Sequence, residues 1–342
     1  MAIGPHPLQS TTITKAPTAK QSHVHPHISQ SHDPDKGRQL HATAPLKAGD
    51  VLMVDSPYAM IPVVDDPAHS DEVLCSNGNC RRKVPRMRRI GCSNRCAAEV
   101  FWCDVGCRDT DRIRHVLECE WLKGHAMSLR KDEGEYYFGV LWLIVRALAA
   151  RYVEKIEGSS WSMSKKKFSS GWTAMTELCD NRKLWPEADL LHWQSLIEKY
   201  ICADSSLRNI LLSAGNILTL ICQQESNSFG LYPKATGLAS TSDRGEQYGA
   251  AIYPRSSIAN HSCCPNVTHK PDDHSRMVFT ASRDIAPGEE CCISYMDLFG
   301  DVDVNMRRKH LQVQFSFTCQ CERCRMEENP EEGWDALPFL DD

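Results

Sequence analysis

Eight soft donors stand in four close pairs between Cys75 and Cys119: Cys75 with Cys80, Cys92 with Cys96, Cys103 with Cys107, and His115 with Cys119. Thiolates and imidazoles are zinc ligands, and eight of them make two tetrahedral sites. Close spacing lets one turn deliver two ligands to one ion, and His115 and Cys119, four apart, share one face of a helix. With every position filled by protein and none open to water, such sites brace or bind; they do not react. Nearer the C-terminus Cys319, Cys321 and Cys324 offer three more ligands within six residues, one short of a tetrahedron. A different constellation lies in the run Asn260, His261, Ser262, Cys263, Cys264, Pro265, Asn266 and in the segment GEECCISY, which ends at Tyr295.

The run NHSCCPN and the tyrosine that closes GEECCISY resemble the SET-domain family, and the ending FWCDVGCRDTDRIRHVLEC resembles the MYND zinc finger. Together they resemble the SMYD family, whose SET domain is split by such a finger, over roughly Lys36 to Cys324. The resemblance implies an α+β fold: a SET-domain β-clip of short strands with an inserted MYND finger, a helical insert and a post-SET zinc cluster. It also implies a short member without the C-terminal helical domain. The implied activity is S-adenosylmethionine-dependent protein-lysine N-methyltransfer to a histone or non-histone lysine.

By that resemblance Asn260 and His261 hold S-adenosylmethionine, and Tyr295 is both the catalytic residue and a cofactor contact at the mouth of the methyl-transfer channel. Lys36, Gly37 and Arg38 match the family's cofactor turn, with Gln39 where a second glycine is usual. The two cations suit the cofactor's carboxylate and Gly37 permits close backbone approach. Asn227, Ser257 and Phe317 complete the cofactor set, while Phe229, Tyr253 and Phe315 form the substrate channel. The family's interleaved pairing implies that Cys75, Cys80, Cys103 and Cys107 hold one zinc and Cys92, Cys96, His115 and Cys119 another. Cys263 then completes the third site with Cys319, Cys321 and Cys324, which leaves Cys179, Cys202, Cys222, Cys264, Cys291 and Cys292 as core thiols.

An aromatic channel answers a chemical need, because a lysine must lose its proton before its nitrogen can attack a methyl group. With a reference pKa near 10.4, holding it neutral at pH 7 costs about 4 to 5 kcal/mol. Burial among Tyr and Phe side chains disfavours the ammonium form.

These residues need a scaffold, and 342 residues with 42% apolar composition suffice for a sizeable core. A formal charge of −5 fits neither a strongly basic nucleic-acid binder nor a disordered acidic chain. The seven expected segments are a disordered tail at 1–35, the N-terminal SET part at 36–74, the finger at 75–119, a helical insert at 120–225, the SET core at 226–300, the post-SET segment at 301–326 and an acidic tail at 327–342. Apolar spacing predicts one helix from Tyr136 to about Glu157 and another from Ser205 to Cys222, with a surface loop starting at Gly158. No run reaches the roughly 18 to 20 apolar residues of a membrane span, Val140 to Val145 being stopped by Arg146, so no membrane partner is expected.

The expected partner is a protein with an exposed lysine. A proline-rich peptide at the finger is a second, and Gln39 favours a reading in which the chain is a catalytically weak adaptor for such peptides. Weak nucleic-acid contact through Arg81, Arg82, Lys83, Arg86, Arg88 and Arg89 is a third. The expected location is nucleus and cytoplasm.

Overall fold

The structure, a computed structural model, describes residues 22–63, 72–158, 168–237, 244–298 and 303–328. Short runs of β-branched and long apolar residues make the first strands: β1 (His23–Val24), β2 (Ile28–Asp33), β3 (Gly37–Ala42), β4 (Val51–Asp55) and β5 (Ala59–Pro62). The expected tail therefore ends earlier than position 35. β1 pairs antiparallel with β4, and β2 pairs with β3 from Ile28↔Ala42 to Asp33↔Gly37. The turn between β2 and β3 is held by Asp33, whose Oδ1 accepts the N–H groups of Asp35 and Lys36 at 2.9 Å each. Gly37 leaves that turn at φ +74°, a conformation for which a residue without Cβ is suited. Residues 1–21 of the expected tail lie outside the described residues.

The finger contributes β6 (Glu72–Leu74), β7 (Lys83–Pro85), β8 (Ile90–Gly91), β9 (Phe101–Trp102), α1 (Val105–Thr110) and α2 (Arg112–Asp132). Helix α2 is continuous across the expected boundary at 119/120, so the last two finger ligands and the first helix of the insert form one rod. The insert continues through α3 (Glu135–Ile156), α4 (Gly171–Thr176), α5 (Glu187–Ile197) and α6 (Ala214–Asn227). The helix expected from Ser205 starts instead at Ala214, where Ser213 Oγ accepts the Asn216 N–H at 3.3 Å, and it runs on to Asn227. Ser205–Leu207 is a separate turn, capped by Asp204. Leu207 and Ile210 are buried all the same, so apolar spacing reported burial correctly and helix continuity wrongly. The loop expected from Gly158 lies largely outside the described residues.

The chain then forms β10 (Ser228–Leu231), β11 (Gly249–Ile252), β12 (Val267–Pro271) and β13 (Met277–Ala281), and ends in α7 (Val304–Phe315) and α8 (Glu322–Glu328). One antiparallel sheet has the order β1-β4-β13-β12 and a second the order β10-β11-β5. These sheets and the β2–β3 ribbon enclose a core containing Ile28, Leu40, Met53, Phe279 and Ile293. A larger core is helical, centred on α3 with Trp121, Trp142, Leu148 and Ile221. The expected acidic tail begins inside α8: Glu327 pairs with Arg307 at 2.7 Å and Glu328 with Arg308 at 2.9 Å. Residues 329–342 lie outside the described residues.

Helix α3 is, among the described residues, long and apolar enough to cross a membrane, which corrects the expectation that no segment is. Here its apolar side chains are packed in protein, and most of the helix is buried. Its Arg146 is buried too, donating to the Met60 carbonyl of β5 at 2.6 Å and to Glu118 of α2 at 3.0 Å. Glu118 is fully buried, and besides Arg146 it accepts from Arg114 Nη1 at 2.9 Å and Trp142 Nε1 at 3.2 Å. The neighbouring arginines hold its carboxyl well below the usual range against the opposing effect of burial. A buried ion network of this kind contributes little relative to an apolar replacement, but removing one member strands the others. Glu118→Ala should lower unfolding stability by about 3 to 5 kcal/mol, measured by urea denaturation of the zinc-loaded protein. A loss below about 1 kcal/mol, the range of an exposed pair, would show that Arg114 and Arg146 find other partners.

Candidate functional site

Two ligand clusters sit in the finger and one beneath α7. Cys75, Cys80, Cys103 and Cys107 form the first, Cys92, Cys96, His115 and Cys119 the second, and Cys263, Cys319, Cys321 and Cys324 the third, with the ligand atoms of each within 4.8 Å of one another. Zn–S bonds of about 2.3 Å place tetrahedral sulfurs about 3.8 Å apart. The Cys80–Cys103, Cys92–Cys119, Cys263–Cys319 and Cys263–Cys324 sulfur separations are 3.8, 3.7, 3.9 and 3.6 Å. Cys103 and Cys107 stand closer, at 3.1 Å, and would have to part slightly around an ion; the donor types and their grouping fit zinc, in the pairing the resemblance implied. The five-residue step from Cys75 to Cys80 is absorbed by a turn in which Asn77 O accepts from the Cys80 and Arg81 N–H groups.

Each cluster has an outer layer that spacing alone does not reveal. His115 Nε2 faces Cys92 Sγ at 3.2 Å while Nδ1 meets Glu118 at 3.2 Å, so the buried carboxylate that ties α2 to α3 also orients a ligand. At the third cluster four thiolates around a divalent ion leave excess negative charge, and the fully buried Arg307 reaches Cys324 Sγ at 3.7 Å. Of the six remaining cysteines, Cys222 and Cys291 are buried and Cys264 and Cys292 partly so, but Cys179 and Cys202 are exposed and are not core thiols.

The third cluster leads directly to Tyr295. The His261 imidazole lies with Nε2 at 3.2 Å from Cys263 Sγ, and its Nδ1 accepts the Tyr295 main-chain N–H at 3.0 Å. An Nδ1 that accepts leaves Nε2 to carry the proton toward sulfur. Burial pushes the His261 pKa down to about 4, which keeps the ring neutral and this tautomer in place. The Tyr295 hydroxyl donates to the Ala259 carbonyl at 2.9 Å, and burial pushes its pKa up. Its ring packs on Phe315 at 4.9 Å and meets Phe317 edge-on at 6.3 Å. His261 and Phe317 are 6.0 Å apart.

A cavity of about 90 Å³ lies beside Tyr295, and the sequence-predicted Asn227, Phe229, Ser257 and Phe315 line it together with Tyr295. The C-terminus of α6 supplies Asn227, whose side chain donates to the Cys179 carbonyl at 2.7 Å; β10 supplies Phe229. Ser257 Oγ donates to the Asn227 carbonyl at 3.1 Å and to the Tyr253 carbonyl at 2.8 Å. Tyr253 itself is not in the wall. Its ring is fully buried behind Phe229, and its hydroxyl donates to the Ser275 carbonyl, so it supports the channel from the core side.

Lys36, Arg38 and Asn260 lie outside this wall. Lys36 Nζ and Asn260 Nδ2 converge on the two oxygens of Glu290 at 2.8 and 2.9 Å. Glu290 belongs to the GEECCISY segment already singled out, yet only the folded chain makes it a partner of both. Arg38 is 4.0 Å from Glu177. Gln39 is extended strand, with its side chain donating to Ser31 Oγ at 3.1 Å, so no second glycine is required by the backbone there.

The basic run of the finger is not one charged face. Arg81 is buried, donating to the His274 carbonyl at 3.2 Å; Lys83 lies over Tyr248 at 3.8 Å and Arg89 over Phe101 at 3.9 Å. Arg82 and Arg88 are exposed, and the side chain of Arg86 lies outside what is described. Ser275 returns a hydrogen bond to the Arg81 carbonyl at 2.9 Å, so part of the run docks the finger on the β12–β13 turn.

The SET domain family matches residues 37–296, about three quarters of the 342 residues, and the chain belongs to that family. The inserted finger makes it SMYD-like. It is 25% identical to the human N-lysine methyltransferase SMYD2 over 294 residues, covering 85% of this chain and 58% of that protein. It is 26% identical to a SET and MYND domain-containing protein of Dictyostelium discoideum, covering 94% of this chain and 65% of that one. A third relative, the potential protein lysine methyltransferase SET6 of Saccharomyces cerevisiae, is 36% identical over 40% of this chain and 36% of its own length. The chain thus spans about three fifths of the length of the first two relatives.

Metal analysis of the full chain should find three zinc ions, one for each cluster. Cys324→Ser should remove one and loosen the α7–α8 segment, read as faster amide exchange around Tyr295, while the finger keeps its two. An undiminished zinc count in Cys324→Ser would detach Cys324 from metal binding.

Proposed function

We propose that this chain is an S-adenosylmethionine-dependent protein-lysine N-methyltransferase. The observation that carries the reading is that Phe229, Phe315 and Tyr295 gather at one cavity while the Tyr295 ring also contacts His261 and Phe317. The three rings would flank a lysine stem, and Asn227 and Ser257 in the same wall would meet the cofactor where the two reactants join. Bound S-adenosylmethionine supplies an electrophilic methyl group on a sulfonium. Lys36, Gly37, Arg38, Asn227, Ser257, Asn260, His261, Tyr295 and Phe317 are the residues assigned to hold it. The convergence of Lys36 and Asn260 on the Glu290 carboxylate supports the assignment, since the same groups could donate to the carboxylate of an amino-acid moiety.

The protein's part in the reaction is placement and desolvation. Phe229 and Phe315 present apolar faces that would disfavour the lysine ammonium, and together with Tyr295 they would orient the neutral amine toward the cofactor's methyl group. The Ala259 carbonyl fixes the Tyr295 hydroxyl, and His261 fixes the backbone beneath it, so the ring cannot drift as the two reactants meet. No side chain is needed as a dedicated base when water can receive the proton before the lysine enters.

Tyr295→Phe keeps the ring and removes the hydroxyl. Methyl transfer from labelled S-adenosylmethionine to a proteome should fall by about a hundredfold, the scale of a misplaced reactant, with cofactor binding retained in calorimetry. Full turnover by a folded Tyr295→Phe protein would remove that hydroxyl from the mechanism, and a wild-type chain that binds no cofactor would sink the enzyme reading.

A further inference from the structure

The cavity beside Tyr295 has one formally charged side chain in its wall among the described residues, and that charge is a cation, Arg244. No Asp or Glu lines it. A wall of this sign gives a lysine ammonium nothing to pair with, so the attraction between cavity and substrate has to come from another group.

Arg244 is partly buried and stacks on the Tyr232 ring, its guanidinium carbon 3.7 Å from the ring centre, which fixes the plane of the fork. It takes no carboxylate from the described residues. Asp297, the acid its segment reaches, accepts the Arg244 main-chain N–H at 3.3 Å. Five N–H donors in a rigid plane are matched best by a carboxylate, which can accept two of them side by side. A second polar group in the same wall is left unmatched among the described residues: His269 Nδ1 is buried and has no hydrogen-bond partner there. Burial, and after it the field of Arg244, push the His269 pKa down to about 3, so this ring is neutral and supplies no counter-charge.

We propose that Arg244 is a specificity-determining residue that selects proteins carrying an acidic side chain beside the target lysine, pairing with that carboxylate while the lysine occupies the aromatic cavity. This rests on the reading of the cavity as a lysine channel. It narrows the substrate class from any exposed lysine to one with Asp or Glu within about two residues, the reach of one extended dipeptide at 3.3–3.6 Å per residue.

The test uses the zinc-loaded full chain and fluorescein-labelled seven-residue peptides with a central lysine and Glu, Ala or Arg at each of the two positions on either side. Binding is read by anisotropy with S-adenosylhomocysteine present. At one or more flanking positions Glu should bind about tenfold more tightly than Ala, and Arg more weakly than Ala. In Arg244→Ala the Glu-to-Ala ratio should fall to about one, and in Arg244→Glu the preference should invert toward Arg; an unchanged melting temperature certifies the fold of both. Equal binding of the Glu and Ala peptides by wild type, a Glu preference that survives in Arg244→Ala, or no peptide binding at all overturns the proposal. Cofactor binding and methyl transfer are measured separately. A chain that methylates without flank preference defeats only the role of Arg244, whereas an Arg244-dependent preference in a chain that ignores the cofactor defeats only the enzyme reading.

Discussion

One imidazole joins the cluster of four cysteines near the C-terminal helices to the cavity beside Tyr295. His261 faces the Cys263 sulfur through Nε2 and accepts the Tyr295 N–H through Nδ1, and the buried ring stays neutral because desolvation opposes its charging. Protonating Nδ1 would remove the acceptor on which the Tyr295 backbone rests. The position of the tyrosine therefore depends on the cluster of Cys263, Cys319, Cys321 and Cys324, against which Phe315, a residue of the cavity wall, and Phe317 also pack. A zinc ion held by these four cysteines would act on the site through structure, because they would fill its tetrahedral coordination.

The finger is attached by the same kind of device at larger scale. Glu118 touches the ligand His115, the α2 residue Arg114, and the α3 residues Trp142 and Arg146, while Arg146 continues to the carbonyl of Met60 in β5. Strand β5 is paired with β11, which is paired with β10, the strand that carries Phe229. A second attachment runs from Arg81 to the turn before β13. A module that reads in sequence as an insertion is thus bonded to the SET core at two places, and α2 crosses its expected boundary without a break. The interdependence has a physical source: buried charges must be paired, and Glu118 takes partners from its own helix, Arg114 and His115, and from α3, Arg146.

Much of the site was legible beforehand because metal ligation and the cofactor motif depend on residue type and short spacing. All twelve ligands, and the grouping implied by the family, meet in three clusters. Asn227, Phe229, Ser257, Tyr295 and Phe315 gather at one cavity, although they lie as much as 88 positions apart, from Asn227 to Phe315. Other expectations failed for identifiable reasons. Tyr253 carries the right side chain for a channel but is fully buried just after β11, where its hydroxyl is held by the Ser275 carbonyl of the β12–β13 turn. The expected helix from Ser205 was broken by local caps at Asp204 and Ser213 that compete with apolar periodicity. The supposed tail became β1 and β2 because its strands are completed by partners later in the chain.

What the amino-acid order settled by itself were the properties set by near neighbours and chemical type: the zinc ligands, the helix of α3, and the motif carrying His261 and Tyr295. What only the tertiary structure decided were the pairings between distant segments. Glu118 with Arg146, Glu290 with both Lys36 and Asn260, Arg307 with the third cluster, and Arg244 in the cavity wall all depend on which side chains become neighbours after folding. Spacing along a chain constrains the geometry of one turn of helix or strand; the sign of charge beside a buried group depends on every segment that packs against it.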